Sequence, residues 1–443
     1  MSDDLVVPKG WTVTTLGSIG RYLNGRAFKT SEWAKTGRPI IRIQDLTGSN
    51  RKPNHFEGEV ENRYIVRPGD FLISWSATLG AYIWDGPEAL LNQHIFKVES
   101  RIHPKFHYHL VRDRIADLER NAHGSGMVHV TKGTFENTPV IIPTDECIQE
   151  QVANLIDAAD SKHQSSVQHL ILARQAIERF RHAVLVAACS GRLSADWREA
   201  HPKAMSVDHA LSEPIRLRRR RKQAEQAVEL DLPSLPESYH VASIGDASLL
   251  LEYGTSQRSE SHAENGVPVL RMGNIQNGRL DLTNLKYRTL DTEIERLLLK
   301  DGDLLFNRTN SPELVGKTAV FHGNYPMSFA SYLIRVRFAP GVADPDFVNY
   351  WINSTWGRAW ARQVKTDGVS QSNINGSKLS QMPIPLPPIE EQREIVDRAS
   401  HMLNLADGLL ARMDTAGRSV ERSFPAVLAK AFRGGLLSER EGG

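Results

Sequence analysis

Two clusters of side chains have types and spacing that could do chemistry. Val315–Thr318 reads VGKT, the close of a loop that cradles phosphates through backbone N–H groups and a lysine. The full pattern, G-x-x-x-x-G-K-[ST], needs a glycine at position 311, where the chain has Ser311. His103, His107 and His109, in HPKFHYHL, have the spacing H-x3-H-x-H and could hold a metal. No acidic ligand lies at a matching interval, so an ordinary surface or capping role is the simpler expectation. No G-x-G-x-x-G, G-x-S-x-G or H-E-x-x-H occurs, and neither does an N-P-P-[FY]-type methyltransferase signature. The expectation is a chain with no catalytic residue and no metal ligand.

The totals agree with that. At 443 residues the chain should hold two to four domains, each with its own core. With only Cys147 and Cys189 there is no disulfide framework and no four-thiolate site, which fits a reducing cytoplasm. No apolar run approaches the roughly 18 residues of a membrane helix. The start, MSDDLVVPKGW, lacks the features of a secretory signal. Trp11–Thr144 carries 17 Lys+Arg against 13 Asp+Glu, and Leu235–Pro388 carries 15 against 15. Any basic surface must therefore come from local segregation of charge.

The elements that would position functional groups are written twice. PIIRIQDL (Pro39–Leu46) is answered by PVLRMGNI (Pro268–Ile275), and RPGDFLIS (Arg67–Ser74) by KDGDLLFN (Lys300–Asn307). PVIIP (Pro139–Pro143) pairs with PIPLP (Pro383–Pro387), Glu150–Gln151 with Glu391–Gln392, and AVLVAACSGRL (Ala183–Leu193) with AVLAKAFRGGL (Ala426–Leu436). Short alternating runs broken by Gly, Pro, Asn and Asp, with helical stretches between, predict an α+β domain in each half.

After each proline-rich strand the period changes to that of a helix. Ile148, Val152, Leu155 and Ala159 begin a narrow apolar seam that resumes at Val167, Leu170, Arg174, Ile177, Phe180 and Val184. Its counterpart runs through Ile395, Ala399, Met402, Ala406, Leu409 and Met413, then Val420, Phe424, Val427 and Ala431. Each seam spans roughly 60 Å. The two helices either pack each on its own domain or pair with one another. Pro425 predicts a kink or a restart of the second helix, and Gly191 and Gly434–Gly435 are placed as helix stops. The domain plan is 1–144, a long helix 145–195, a linker 196–235 with the basic run Arg216–Lys222, a second domain 236–388 and a C-terminal long helix 389–443.

With these repeats, the DWRE segment (Asp196–Glu199), the PES-Tyr239 start of the second half and above all PIPLPPIEEQREIV (Pro383–Val396), the chain resembles the specificity subunits of type I restriction–modification systems. In the first half, PVIIPTDECIQEQVANLI carries three extra residues before Glu150–Gln151, which should alter the strand-to-helix turn and leave the architecture intact. The resemblance implies two α+β target-recognition domains joined by two long helices packed as an antiparallel coiled coil. Each domain would read one half of a bipartite site in double-stranded DNA, and the helices would set the spacer. The chain would be non-catalytic and would dock two methyltransferase subunits, and through them restriction/translocase subunits. S-adenosylmethionine, ATP and Mg would belong to those partners.

Base reading needs paired donors and acceptors, chiefly Arg or Lys on guanine and Asn or Gln on adenine. In the first domain the candidates are Arg42, Gln44, Ser74, Trp75, Ser76, Gln93, His94, His129 and Lys132. In the second they are Arg271, Asn274, Asn307, Arg308, Thr309, Asn310, Lys317, Tyr332, Gln371 and Asn373. Arg42 and Arg271 are equivalent, so a shared scaffold or phosphate contact fits them as well as base reading does. Asp45 and Asn274 also fit turn caps. Trp75 faces Arg308 across the repeat, either as a specificity position or as a core tryptophan. Gly124–Gly126 and Gly368 give loops freedom near a backbone. The candidates for helix–helix or partner contact are Val152, Leu155, Ala159, Leu170, Ile177, Phe180, Val184, Ile395, Ala399, Met402, Leu409, Met413, Val420 and Phe424. The rival from another class is a single-chain restriction–modification enzyme or a P-loop NTPase using Lys317. A third reading is a duplicated peptide-binding adaptor.

Overall fold

The computed structural model describes residues 7–49, 52–76, 78–121, 131–202, 230–262 and 266–436. His129, Gly124–Gly126 and Arg216–Lys222 lie outside them. The chain forms two compact units. The first holds residues up to Leu172 together with those from Met413 onward, and the second holds Ala173–Arg412.

The turn that opens the repeated Gly-Asp strand shows why the repeat exists. Gly69 (φ +92°) and Gly302 (φ +82°) take a left-handed conformation that side chains disfavour. The aspartate that follows turns back on the chain. Asp70 Oδ2 accepts the Arg67 N–H at 2.7 Å, and Asp303 Oδ2 accepts that of Lys300 at 2.8 Å. Each carboxylate also pairs with a cation on the neighbouring strand, Lys97 at 2.6 Å in one unit and Arg337 at 2.7 Å in the other.

In the first unit an antiparallel sheet has the order Gly20–Asn24, Ile95–Ser100, Phe71–Ser74, Gly80–Ile83. In the second unit the same order recurs as Ser248–Tyr253, Leu333–Phe338, Asp303–Asn307, Thr318–Phe321. A second sheet in each places a proline-bearing strand (Arg38–Ile41, Gly266–Leu270) parallel to a short one (Ala89–Leu91, Ser328–Phe329). A two-stranded antiparallel ribbon ties the start of each domain to its last strand, Trp11–Thr15 with Pro139–Pro143 and His240–Ser243 with Pro383–Leu386.

The long helices are Glu146–Cys189 and Ile389–Ala431, roughly 66 and 65 Å at about 1.5 Å per residue. They pack together. In the first unit the His163 ring lies 5.6 Å from that of Phe424. In the second, Arg181 pairs with Asp407. Numbers rise on one helix as they fall on the other, so the pairing is antiparallel. Val152, Ala153 and Ile156 share the first core with Phe424, Leu428 and Ala431, and Val184 and Ala188 share the second with Ile395, Ala399 and Leu403. Leu155, Ala159, Val167, Leu170, Ile177, Met402, Met413 and Val420 are half-buried. Phe180 and Leu409 remain 42% and 41% exposed, so they are not core residues.

Three expectations are corrected. The second helix runs unbroken through Pro425 and does not restart there; Pro425 is exposed, so the carbonyl it leaves without an N–H partner lies on the solvent side. The first-half strand-to-helix turn is longer by one residue, not three: Gln149 lies six residues past Pro143 and Gln392 five past Pro387. The reason is that the counterpart of Gln392 is Gln149, not Gln151. Gln149 donates to the Pro143 carbonyl (2.8 Å) and accepts the His103 N–H (3.0 Å). Gln392 donates to the Pro387 carbonyl (2.8 Å) and accepts the Asp344 N–H (2.7 Å). Each glutamine fastens the last strand and the start of a domain helix to its long helix. The expected helix stops do appear: Gly191 and Gly434 have φ +76° and +77°, just past the helix ends.

Candidate nucleic-acid interface

The repeated sheet brings its strand ends to one rim in each domain. In the first domain Ser74 ends one strand and Trp75 follows it, and His94 precedes the neighbouring strand, with Trp75 N–H donating to the His94 carbonyl at 3.3 Å. In the second domain Arg308 N–H donates to the Tyr332 carbonyl at 3.0 Å. Trp75 and Arg308 are thus structurally equivalent, as are His94 and Tyr332.

A cleft of about 390 Å³ opens beside the first rim. It gathers Arg42, Gln44, Ser76, Gln93 and His94 with Asn92, over a floor of Phe28, Trp33 and Ile40. The Arg42 guanidinium stacks 5.4 Å from the Trp33 ring. Gln93 and His94 share a hydrogen bond at 3.2 Å. Trp75 stacks on Phe96 (5.6 Å, 24°) and lies 5.7 Å from the His94 ring, so it serves the core and shows one edge at the rim. Lys132 donates to the Tyr22 carbonyl at 3.0 Å.

In the second domain the Arg308 guanidinium lies 4.8 Å from the Tyr253 ring. Its contacts with the Ser331 carbonyl and Asn373 Oδ1 are both 3.4 Å, long enough that it is weakly held. Asn373 donates to Thr309 Oγ1 at 2.8 Å, and Asn310 Oδ1 accepts the Ser311 N–H at 2.8 Å. Tyr332 is 45% exposed, and Gln371 is exposed as well. Arg271 donates to the Asn284 carbonyl at 3.2 Å.

Three candidates are misplaced as readers. Ser74 is fully buried and donates to the Thr78 carbonyl at 2.6 Å. Asn307 is fully buried at the end of its strand. Asn274 is buried; it accepts the Arg271 N–H at 2.9 Å and donates to the carbonyls of Asp281 and Asn284, so it caps the turn as Asp45 does for Arg42 (2.8 Å).

The motifs that suggested catalysis are structural. Gly316 N–H donates to the Asn307 carbonyl, and the buried Thr318 hydroxyl donates to Asn349 Oδ1 at 2.8 Å, so VGKT offers no phosphate cradle. Half-burial and the nearby Arg358 lower the Lys317 pKa. His107 is buried between the Tyr22 hydroxyl and Ser100 Oγ (both 2.9 Å), and His109 pairs with Asp157 at 2.7 Å. Among the described residues no cluster of His, Cys, Asp or Glu could hold a metal, and no helix is long and apolar enough to cross a membrane.

Sequence reasoning passed over a buried node. Glu391, with no exposed surface, accepts from Ser194 Oγ (2.7 Å), Arg198 Nη1 (2.5 Å) and the Tyr239 hydroxyl (3.3 Å). It ties the DWRE segment and the start of the second domain to the second long helix. The DWRE and PES-Tyr239 motifs were its only signal in the sequence.

The family model described as type I restriction modification DNA specificity domain matches residues 8–170 and 236–411, well over half of the chain. The EcoBI specificity subunit of Escherichia coli is 25% identical over 98% of this chain and 88% of its own. The EcoKI specificity subunit of Escherichia coli strain K12 is 24% identical over 98% and 90%. In fold, the chain is similar to one solved in work on complex assembly and conformational transition of the type I R-M system (TM-score 0.67, 18% identical, covering 97% of this chain and 99% of that one). It is also similar to the HsdS subunit from Thermoanaerobacter tengcongensis (TM-score 0.54, 18% identical, 98% and 99%). Two matched domains, the duplicated rim and the paired long helices lead to one assignment: the chain belongs to the family of type I restriction–modification specificity subunits.

Proposed function

We propose that each domain reads one half of a split site in double-stranded DNA and that the paired helices set the unread spacing. As a member of its family the chain is a non-catalytic DNA-recognition subunit that assembles with other subunits. In the reading proposed here those are two methyltransferase subunits docked on the helices, with restriction/translocase subunits joined through them. S-adenosylmethionine, ATP and Mg belong to the partners, and the chain works in the cytoplasm.

One observation carries the reading. The supports repeat between the domains (Asp70 and Asp303, Gln149 and Gln392, the turn caps Asp45 and Asn274), while the rim positions they hold differ in chemistry (Trp75 against Arg308, His94 against Tyr332). That is what two readers of different sequences on one scaffold require, because phosphate contacts position a protein and base contacts specify the site. Helices of about 65 Å match nearly two duplex turns of ~34–36 Å.

The test is mechanical. A heptad inserted at matched places in both helices adds about 10 Å, or about three base pairs. Methylation mapped across the host genome is expected to show the same two half-sites with a longer gap. An unchanged gap removes the spacer role, and a heptad in one helix alone is expected to abolish assembly.

A further inference from the structure

One hairpin of the second domain carries an exposed apolar side chain at its tip. Strands Thr366–Asp367 and Ser372–Asn373 run antiparallel, and the second of them also pairs with Thr309–Asn310, next to Arg308. The loop from Gly368 to Gln371 closes this ribbon, with Gly368 N–H donating to the Gln371 carbonyl at 2.8 Å. Val369, inside that loop, is fully exposed at 110%, the highest exposure of any large apolar side chain among the described residues. Its isopropyl group contributes nothing to the core.

The surroundings show what it is suited to meet. Asp367, the acidic residue of the ribbon, is held by Lys365 and by the Ser372 hydroxyl, which stabilise its charged form and lower its pKa. The Lys365 ammonium offsets that charge, which softens repulsion of phosphates. Exposed Gln371 and the weakly held Arg308 guanidinium lie along the same ribbon, both of types that read base edges. A two-stranded ribbon, its strands about 4.8 Å apart, enters a major groove about 12 Å wide. The apolar feature of that groove is the thymine C5-methyl group. A lone isopropyl group is far smaller than the contiguous patch of a few hundred Å² that marks a protein docking surface.

We propose that Val369 packs against the C5-methyl of a thymine in the half-site read by the second domain and selects thymine at that position. The inference rests on the DNA-reading function proposed above. It is tested on the chain assembled with its methyltransferase subunits. The duplex carries the site mapped from host methylation, and each thymine of that half-site is replaced in turn by deoxyuridine, which removes only the methyl group. The native complex is expected to bind about four-fold more weakly at one position, the worth of one buried methyl. Val369→Ala should bind the thymine and uracil duplexes equally there, and Val369→Thr, which keeps one methyl, should fall between. No uracil-sensitive position, or full discrimination retained by Val369→Ala, overturns the assignment. Arg308→Ala in the same assay separates the two levels. If it weakens binding to this half-site alone, DNA reading stands and only the thymine contact falls; if no split site is bound at all, both fall.

Discussion

Replacing Gln392 with alanine is the sharpest test of how a recognition domain is fixed to its helix. The carboxamide is fully buried and makes three hydrogen bonds: from the Asp344 N–H (2.7 Å), and to the carbonyls of Pro387 (2.8 Å) and Val342 (3.0 Å). Truncation leaves one backbone donor and two acceptors buried without this partner. An orphaned buried donor or acceptor costs about 1–3 kcal/mol, and part of that is recovered where water enters, so the expected loss is about 3–4 kcal/mol. Gln149→Ala removes two such bonds and should cost about 1 kcal/mol less. Hydrogen exchange read by peptide is the suitable assay, because the chain has two compact units and one global unfolding transition is not assured. Gln392→Ala should deprotect the helix Pro345–Asn353 and leave Pro104–Asn121 unchanged, and Gln149→Ala should do the reverse. Gln392→Glu, which keeps the acceptor but turns a carboxylate toward two carbonyls, should be at least as damaging as the alanine. If Gln392→Ala costs under about 1 kcal/mol, or deprotects both helices alike, the latch is not what holds the domain.

On the half-site proposed for the second domain, Arg308→Ala should cost about 1–3 kcal/mol and relax specificity there only; equal weakening on unrelated DNA, measured by competition binding, would remove Arg308 from the candidate readers. Burial holds His107 neutral and lowers its pKa from 6.5 to about 4. Between those values the unfolded chain binds more protons, so the first unit loses stability as pH falls from about 6.5 toward 4, by roughly 3 kcal/mol in all. Denaturation midpoints of the native chain and His107→Gln across that range check this, and an unchanged slope in the variant would assign the loss to another group.

Much of the fold was legible because its punctuation is chemical. Gly191 and Gly434 stop helices, and Gly69 and Gly302 turn strands, because left-handed backbone favours glycine. The rim residues were harder. Ser74 and Asn307 end their strands pointing inward, while Trp75 and Arg308, one residue on, reach the rim; residue type shows a donor or acceptor but not the face it occupies. Asn274 looked like an adenine reader because a turn cap and a base reader want the same carboxamide. The pairing of Glu150–Gln151 with Glu391–Gln392 followed a shared dipeptide. The structure aligns the halves by the reach of a side chain, and the Gln149–Gln392 offset then equals that of Ala183–Ala426. The Glu391 node joins Ser194, Arg198 and Tyr239 across long stretches of chain, which no local pattern reports.

The two rims differ in how freely they can change, and the reason is packing. Arg308 leans on Tyr253 and makes only long hydrogen bonds, so its side chain adds little to the fold and can be exchanged at small cost. Trp75 occupies the equivalent backbone position but stacks on Phe96 within the first core, so an exchange there disturbs the domain as well as the surface it shows. The cleft beside it reinforces the contrast, since Arg42 spends its guanidinium face on Trp33 while its counterpart Arg271 bonds the Asn284 carbonyl. One scaffold therefore carries a rim residue fused to its core and another resting on its surface. The second rim is accordingly the one where a side chain can be exchanged without disturbing the core beneath it.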